Sequence, residues 1–427
     1  MSSRPTPSLQ PPRGMRDFYP EDMHLRQRIF DAWRRSANRF GFQPYDACVV
    51  ETLDLLQRKA GEEIVEQIYH FRDKSDRRLA LRPEMTPTLA RMIAARQGAL
   101  SFPLKWATIA QCFRYERTTR GRKREHYQWN LDIVGEPGCL AEAEVLAAAV
   151  DAVREMGLAE TDLVIEYSSR ALLAELLSAL GVGPEHHAAA FVALDKRGKI
   201  PDDQIRGILV VEGLPEAAID RVFEMLAVRS MEEAAALLTD REAPAVRQLR
   251  AFAALLDGYG LAPVVQFNLG VVRGLAYYTG IVFEAFDRDR ELRAIFGGGR
   301  YDNLLADVGG EPMTGVGLGF GDVVIAELLT KKRVAGAAEP RADLLAVGYL
   351  AAEQQPAAVA AARQFRRAGR NVDLALAPEK AKKFFSRCAR AGYGHAVYVG
   401  PDDVASGTVR VKNLATREET AVPLTAA

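Results

Sequence analysis

The sequence predicts an α+β chain with a mainly antiparallel sheet core flanked by helices, a helical insertion within that core, and a small C-terminal α/β domain. Three observations predict it. Segments 106–117 and 125–135 are rich in β-branched and aromatic residues and enclose the polar "TTRGRK", the pattern of a long antiparallel hairpin with a basic loop. Residues 139–158 and roughly 171–257 are rich in Ala, Leu and Glu at helical spacing. Beyond "RVAGAAEPRA" the pattern turns to strict strand and helix alternation.

In chain order, Leu25, Ile29, Phe30, Trp33 and Phe40 recur at helical spacing from Asp22 to Phe40, and Gly41 and Pro44 end the helix before the extended "YDACVVET". The apolar stripe of this helix is expected to need a partner. "RLALRPEMTPTLARMIAARQGAL" reads as a strand, a turn at Pro83, and a helix opened by Thr86 with Pro87 at its first position. "VVQFNLG", "YYTGIVFEAFD" and "ELRAIFGGGRYD" read as strands with glycine-rich turns, and "GVGLGFGDVVIAELLTKK" as a glycine-rich strand running into a helix. The expected domains are therefore 1–330, with the helical insertion at 171–257, a linker at 331–342, and an α/β domain at 343–427.

Across 427 residues, 56 basic and 56 acidic side chains cancel, but the cancellation is uneven. Arg363 to Arg390 carries nine basic residues against Asp373 and Glu379, and "FRYERTTRGRKREHYQW" at 113–129 holds six more basic side chains among four aromatics. Two basic regions in two domains point to one large polyanion. The four cysteines are scattered without a CxxC pair, which excludes a disulfide scaffold and a zinc ribbon and fits a reducing cytoplasm. The N-terminus reads as a short polar leader, and no run of 18 apolar residues occurs, so no membrane partner is expected.

P-loop, GxGxxG, GxSxG and HExxH motifs are absent. What remains is arginines and aromatics on strands, which suits electrostatic stabilisation of phosphate without a covalent intermediate. Arg114 and Glu116 are expected to alternate onto one strand face, with His126, Gln128 and Asp132 sharing a face of the returning strand. Tyr277 is expected in the core and Tyr278 on the opposite face.

"FRYERTTRGRKREHYQ" resembles motif 2 of the class II aminoacyl-tRNA synthetases in its histidyl form. "PRGMRDFYPED" resembles the N-terminal signature of histidyl-tRNA synthetases, "LRPEMTPTLAR" their amino-acid-binding turn, and "VRGLAYYTGIVFE" their histidine-specific loop, with "GGGRYDNLL" in its expected place. The similarity covers about residues 11 to 425. It implies the class II sheet, a C-terminal anticodon-binding domain, and an ATP-dependent ligase that forms histidyl-adenylate and passes histidine to its tRNA. Arg114 and Arg273 would be the catalytic arginines on the α-phosphate of ATP, with Glu116 and His126 at the adenine. Glu84, Thr86 and Gln128 would bind the amino group and body of histidine, and Asp132, Tyr278 and Tyr301 would lie around its imidazole. ATP would be a substrate with Mg2+ on its departing phosphates, no metal would be held by the protein's own side chains, and the protein would be a homodimer.

Four positions depart from the family pattern. Asp132 stands for a glutamate, His126 for a phenylalanine, Ala276 for an aspartate, and Val324 for the ATP-binding arginine of motif 3. Arg122 is the expected substitute on the γ-phosphate. The alternative implied by the lost arginine is a non-catalytic, histidine-binding regulatory paralogue.

Overall fold

The computed structural model describes residues 8–58, 62–197, 200–272, 277–334 and 343–424. The chain forms two compact units that divide between Ala335 and Gly336, inside the predicted linker. Among the described residues the first unit holds an eight-stranded sheet in the order Gln43–Pro44, Leu104–Phe113, Glu125–Val134, Gly315–Gly321, Phe296–Arg300, Ile281–Asp287, Leu163–Ser169, Val265–Phe267. The two edge pairings are parallel and those between them antiparallel.

Side-chain alternation divides this sheet into an apolar face and a polar one. On Glu125–Val134, the residues Trp129, Leu131 and Ile133 join the main hydrophobic core, which leaves His126, Gln128, Asn130 and Asp132 for the opposite face. On Gly315–Gly321, Val316, Leu318 and Phe320 join the same core, and glycines alternate between them. Helix Pro20–Arg39 closes the apolar side. Its Trp33 ring stacks on Trp129 with centroids 6.0 Å apart and meets Phe320 edge-on at 5.4 Å. Truncating such a buried indole costs about 3–5 kcal/mol. The apolar stripe of this helix is therefore covered within its own chain, and the expectation that it needs a second copy is corrected. Val49, Val50 and Phe71 are exposed apolar residues on or beside the antiparallel sheet of Val50–Thr52, Arg78–Leu81 and His70–Arg72.

Two further local expectations change. The first hairpin strand ends at Phe113, so Arg114 and Glu116 sit beyond the ladder rather than on a strand face. Strand Leu163–Ser169, all of it buried, joins the sheet between the stretches read as helical. Within the insertion, helices His187–Asp195, Asp202–Val211, Glu216–Met225, Met231–Ala236 and Pro244–Gly258 follow Arg170–Ala179. Ile205, Ile219 and Leu249 share the hydrophobic core of the main sheet, so the insertion packs as part of this unit.

The second unit has a five-stranded sheet in the order Asn371–Leu374, Leu344–Tyr349, His395–Val399, Thr408–Asn413, Glu419–Pro423. The first three strands are parallel and the last two join antiparallel. Helices Gln355–Arg367 and Ala381–Arg390 carry most of the basic segment, with Arg366, Arg367, Lys382, Lys383 and Arg390 exposed.

Candidate active site

On the polar face of the main sheet lies a cavity of about 1030 Å3, lined by Glu84, Thr86, Arg114, Glu116, Arg122, Gln128, Tyr278 and Tyr301 among others. A neighbouring cavity of about 220 Å3 shares Arg114, Glu116, Arg122 and Gln128 with it and adds His126, Lys123 and Val324.

The inner end is built on glycine. A β-carbon at Gly315 would lie 2.3 Å from the Tyr301 ring, at Gly317 2.5 Å from Asp132 Oδ1, and at Gly319 1.8 Å from Gln128 Nε2. Three polar side chains thus lie across a strand that has no side chains of its own on that face. Gly317 pairs in register with Asp132 itself. The Tyr301 hydroxyl donates to Asp132 Oδ1 at 2.7 Å, while Oδ2 is buried with no hydrogen-bond partner among the described residues. Burial pushes the Asp132 carboxyl up to about 7, Glu84 adds to the rise, and the Tyr301 hydrogen bond opposes it. A half-satisfied carboxylate in a buried pocket is an acceptor that lacks its donor.

Beside it the Tyr277 hydroxyl donates to Glu84 Oε2 at 2.9 Å. Tyr277 and Tyr278 both line the cavity, which corrects the placing of Tyr277 in the core alone. Residues 277–280 are outside any strand, so alternation does not send the two rings to opposite faces.

The outer end is cationic. Arg114 Nε donates to the Pro83 carbonyl at 2.9 Å, which ties the hairpin to the turn before helix Thr86–Ala94. Glu116 is buried and receives both Nε and Nη2 of Arg122, the latter at 2.7 Å. Burial and the Arg114 charge hold His126 down to about 3, so its ring stands neutral. Arg16 bonds Glu125 at 2.7 Å and Asp322 at 3.0 Å, and Asp322 accepts the Tyr127 N–H at 2.8 Å. The N-terminal signature thereby fastens the hairpin to helix Asp322–Lys331. Arg273 and Ala276 lie outside the described residues.

A family model described as Histidyl-tRNA synthetase matches residues 14–321, and one described as Anticodon binding domain matches residues 337–427. The chain belongs to the histidyl-tRNA synthetase family. Over 97% of its length it is 42% identical to the chloroplastic/mitochondrial histidine–tRNA ligase of Arabidopsis thaliana, covering 85% of that protein. Over 96% it is 42% identical to the histidine–tRNA ligase of Opitutus terrae, covering 95% of it. The crystal structure of histidyl-tRNA synthetase from Nostoc sp. PCC 7120 shares its fold with a TM-score of 0.77, at 24% identity, covering 98% of this chain and 97% of that one.

Against the family expectation, the structure gathers Glu84, Thr86, Arg114, Glu116, Arg122, Gln128, Tyr278 and Tyr301 at the main cavity. His126 joins the adjoining one, and Asp132 sits behind Tyr301. Among lining residues the sequence reading missed are Asn130, Asn268, Arg293, Asp195, Arg197 and Arg229. Even spacing from His126 to Asp132 could have found Asn130. Arg197 and Arg229 come from the insertion, where no local signal marks them.

Proposed function

We propose that the main cavity activates histidine with ATP and passes it to the 3′ end of its tRNA, the activity of a histidine–tRNA ligase. The family relationship carries the activity, and the Asp132–Tyr301 pair carries the choice of amino acid. Neutral imidazole offers one N–H and one lone pair. The orphaned Asp132 oxygen is an acceptor suited to the N–H, with the Tyr278 hydroxyl nearby for the other nitrogen. Glu84, oriented by Tyr277, suits the α-ammonium together with Thr86 and Gln128. An amino acid without the imidazole N–H would leave Asp132 unpaired, which is a strong basis for rejection.

In the first step a histidine carboxylate oxygen bonds to the α-phosphorus while the bond to the β-bridging oxygen breaks, and pyrophosphate leaves. A ribose hydroxyl of the tRNA then attacks the acyl carbon and releases AMP. Arg114, fixed on Pro83, would neutralise charge on the α-phosphate, with Arg273 assigned the same task by the family motif. The Glu116–Arg122 pair and His126 would frame the adenine end. Mg2+ is assigned to the ATP phosphates as part of the substrate.

The basic helices of the second unit are assigned to the tRNA backbone. A symmetric homodimer is proposed to cover Val49, Val50 and Phe71. No described helix is long and apolar enough to cross a membrane, and four free cysteines suit a cytoplasmic site of action. The regulatory-paralogue alternative draws on Val324 alone. Charging of purified tRNA with radiolabelled histidine and ATP tests the proposal: histidine esterified to tRNA is expected, whereas histidine binding without any esterification would favour the paralogue.

A further inference from the structure

Val324 lies in the first turn of helix Asp322–Lys331, is 7% exposed, and lines the smaller cavity with an aliphatic side chain. The cavity thus has a wall of apolar character where the resemblance to motif 3 implies a guanidinium. Arg122, the substitute expected from the sequence, gives two N–H groups to the buried carboxylate of Glu116. Turning it toward a phosphate would strip a buried acid of its counter-ion, which is costly.

We propose that Arg293 is the phosphate-binding arginine that serves in place of residue 324. It is exposed in the connection between strands Ile281–Asp287 and Phe296–Arg300, between the buried Leu292 and Ile295, and lines both cavities. Its stem and Val324 both approach the hairpin tip at Gly121. A β-carbon built at Gly121 would stand 3.4 Å from Val324 Cγ2 and 3.8 Å from both Cγ and Cδ of Arg293, so the two side chains flank one backbone point.

That point is held in place. The Gly121 N–H donates to Glu327 Oε1 at 2.8 Å, and Arg120 pairs with Oε2 of the same carboxylate at 2.9 Å, which ties the tip to the helix that carries Val324. Gly121 has φ +72° and no side chain to intervene. A guanidinium entering from the strand connection reaches the same cavity that one at 324 would enter from the helix, with a fork that matches two phosphate oxygens. With Arg122 and Glu116 paired to each other, the smaller cavity still presents Arg114, Lys123 and Arg293 with no further carboxylate among its described lining residues, a balance suited to a polyphosphate.

The inference rests on the ligase reading, and the test separates the two. Histidine-dependent ATP–pyrophosphate exchange is measured on the full-length protein, on Arg293→Ala, on Arg122→Ala, and on Arg293→Ala combined with Val324→Arg. Arg293→Ala is expected to lower kcat/KM for ATP by about 10²-fold, as for removal of one transition-state donor, with the KM for histidine within threefold of wild type. Val324→Arg in that background is expected to recover at least tenfold of the loss, which a merely structural role for Arg293 would not permit. Wild-type exchange in Arg293→Ala, an equal loss toward histidine, no recovery from Val324→Arg, or the ATP defect appearing in Arg122→Ala alone would each overturn the assignment. Absence of exchange in the wild type would instead remove the ligase reading beneath it.

Discussion

Asp132 shows how one carboxyl can be recruited for recognition at the expense of stability. Its folded pKa of about 7 lies above the ordinary carboxylate range, so the folded chain keeps a proton that the unfolded chain releases. The resulting stabilisation is complete below about pH 4 and lost as pH rises through about 7. Asp132→Asn stays neutral throughout, so the wild type should lose melting temperature relative to that variant between pH 5 and pH 8; parallel curves would contradict the assignment. The same variant replaces an acceptor by an amide and should raise the KM for histidine at least tenfold while sparing that for ATP. Tyr278→Phe should act in the same direction by about 0.5–1.5 kcal/mol, one hydrogen bond to a neutral group. Neither residue's setting was legible in the sequence. Even spacing put Asp132 on the right face, but its place across Gly317 depends on two strands nearly two hundred residues apart meeting in register. Tyr277 is buried in an apolar cluster as expected, but Tyr278 shares that cluster and both line the cavity, because a strand rule does not hold where the backbone is irregular.

At the scale of elements, the glycine strand separates packing from recognition. A methyl at Gly298 would press to 2.1 Å on the Gly317 carbonyl and 2.8 Å on the Phe283 ring, and backbone cannot move aside cheaply. Gly298→Ala should therefore destabilise the protein by about 1–3 kcal/mol, visible as a lower denaturation midpoint. At Gly319 the obstacle is the far end of the Gln128 side chain, which can swing away. Gly319→Ala should keep most of the stability and raise the KM for histidine, and equal midpoints for the two variants would refute the distinction. The hairpin, the helix on its apolar side and the alternating C-terminal unit were legible because periodicity and burial agree there. Strand Leu163–Ser169 was not, since burial on both faces removes alternation. The edge strand Gln43–Pro44 is too short to leave a pattern.

For the whole molecule, the two units have separate hydrophobic cores, and the basic segment 363–390 lies in the second. Removing residues 336–427 should leave adenylate formation within a few-fold of wild type and cut tRNA charging by at least tenfold, with a shallower salt dependence of tRNA binding as phosphate contacts are lost. If Val49, Val50 and Phe71 meet a second copy, Val50→Asp should shift sedimentation from dimer toward monomer. Both results presuppose that the cavity forms an acyl-adenylate, and histidine-dependent exchange of labelled pyrophosphate into ATP tests this most directly. Exchange should require histidine, need no tRNA, and fall by at least 10²-fold in Arg114→Ala. Exchange that is absent in the wild type, or that proceeds equally without histidine, would contradict the assignment of this cavity to histidine activation.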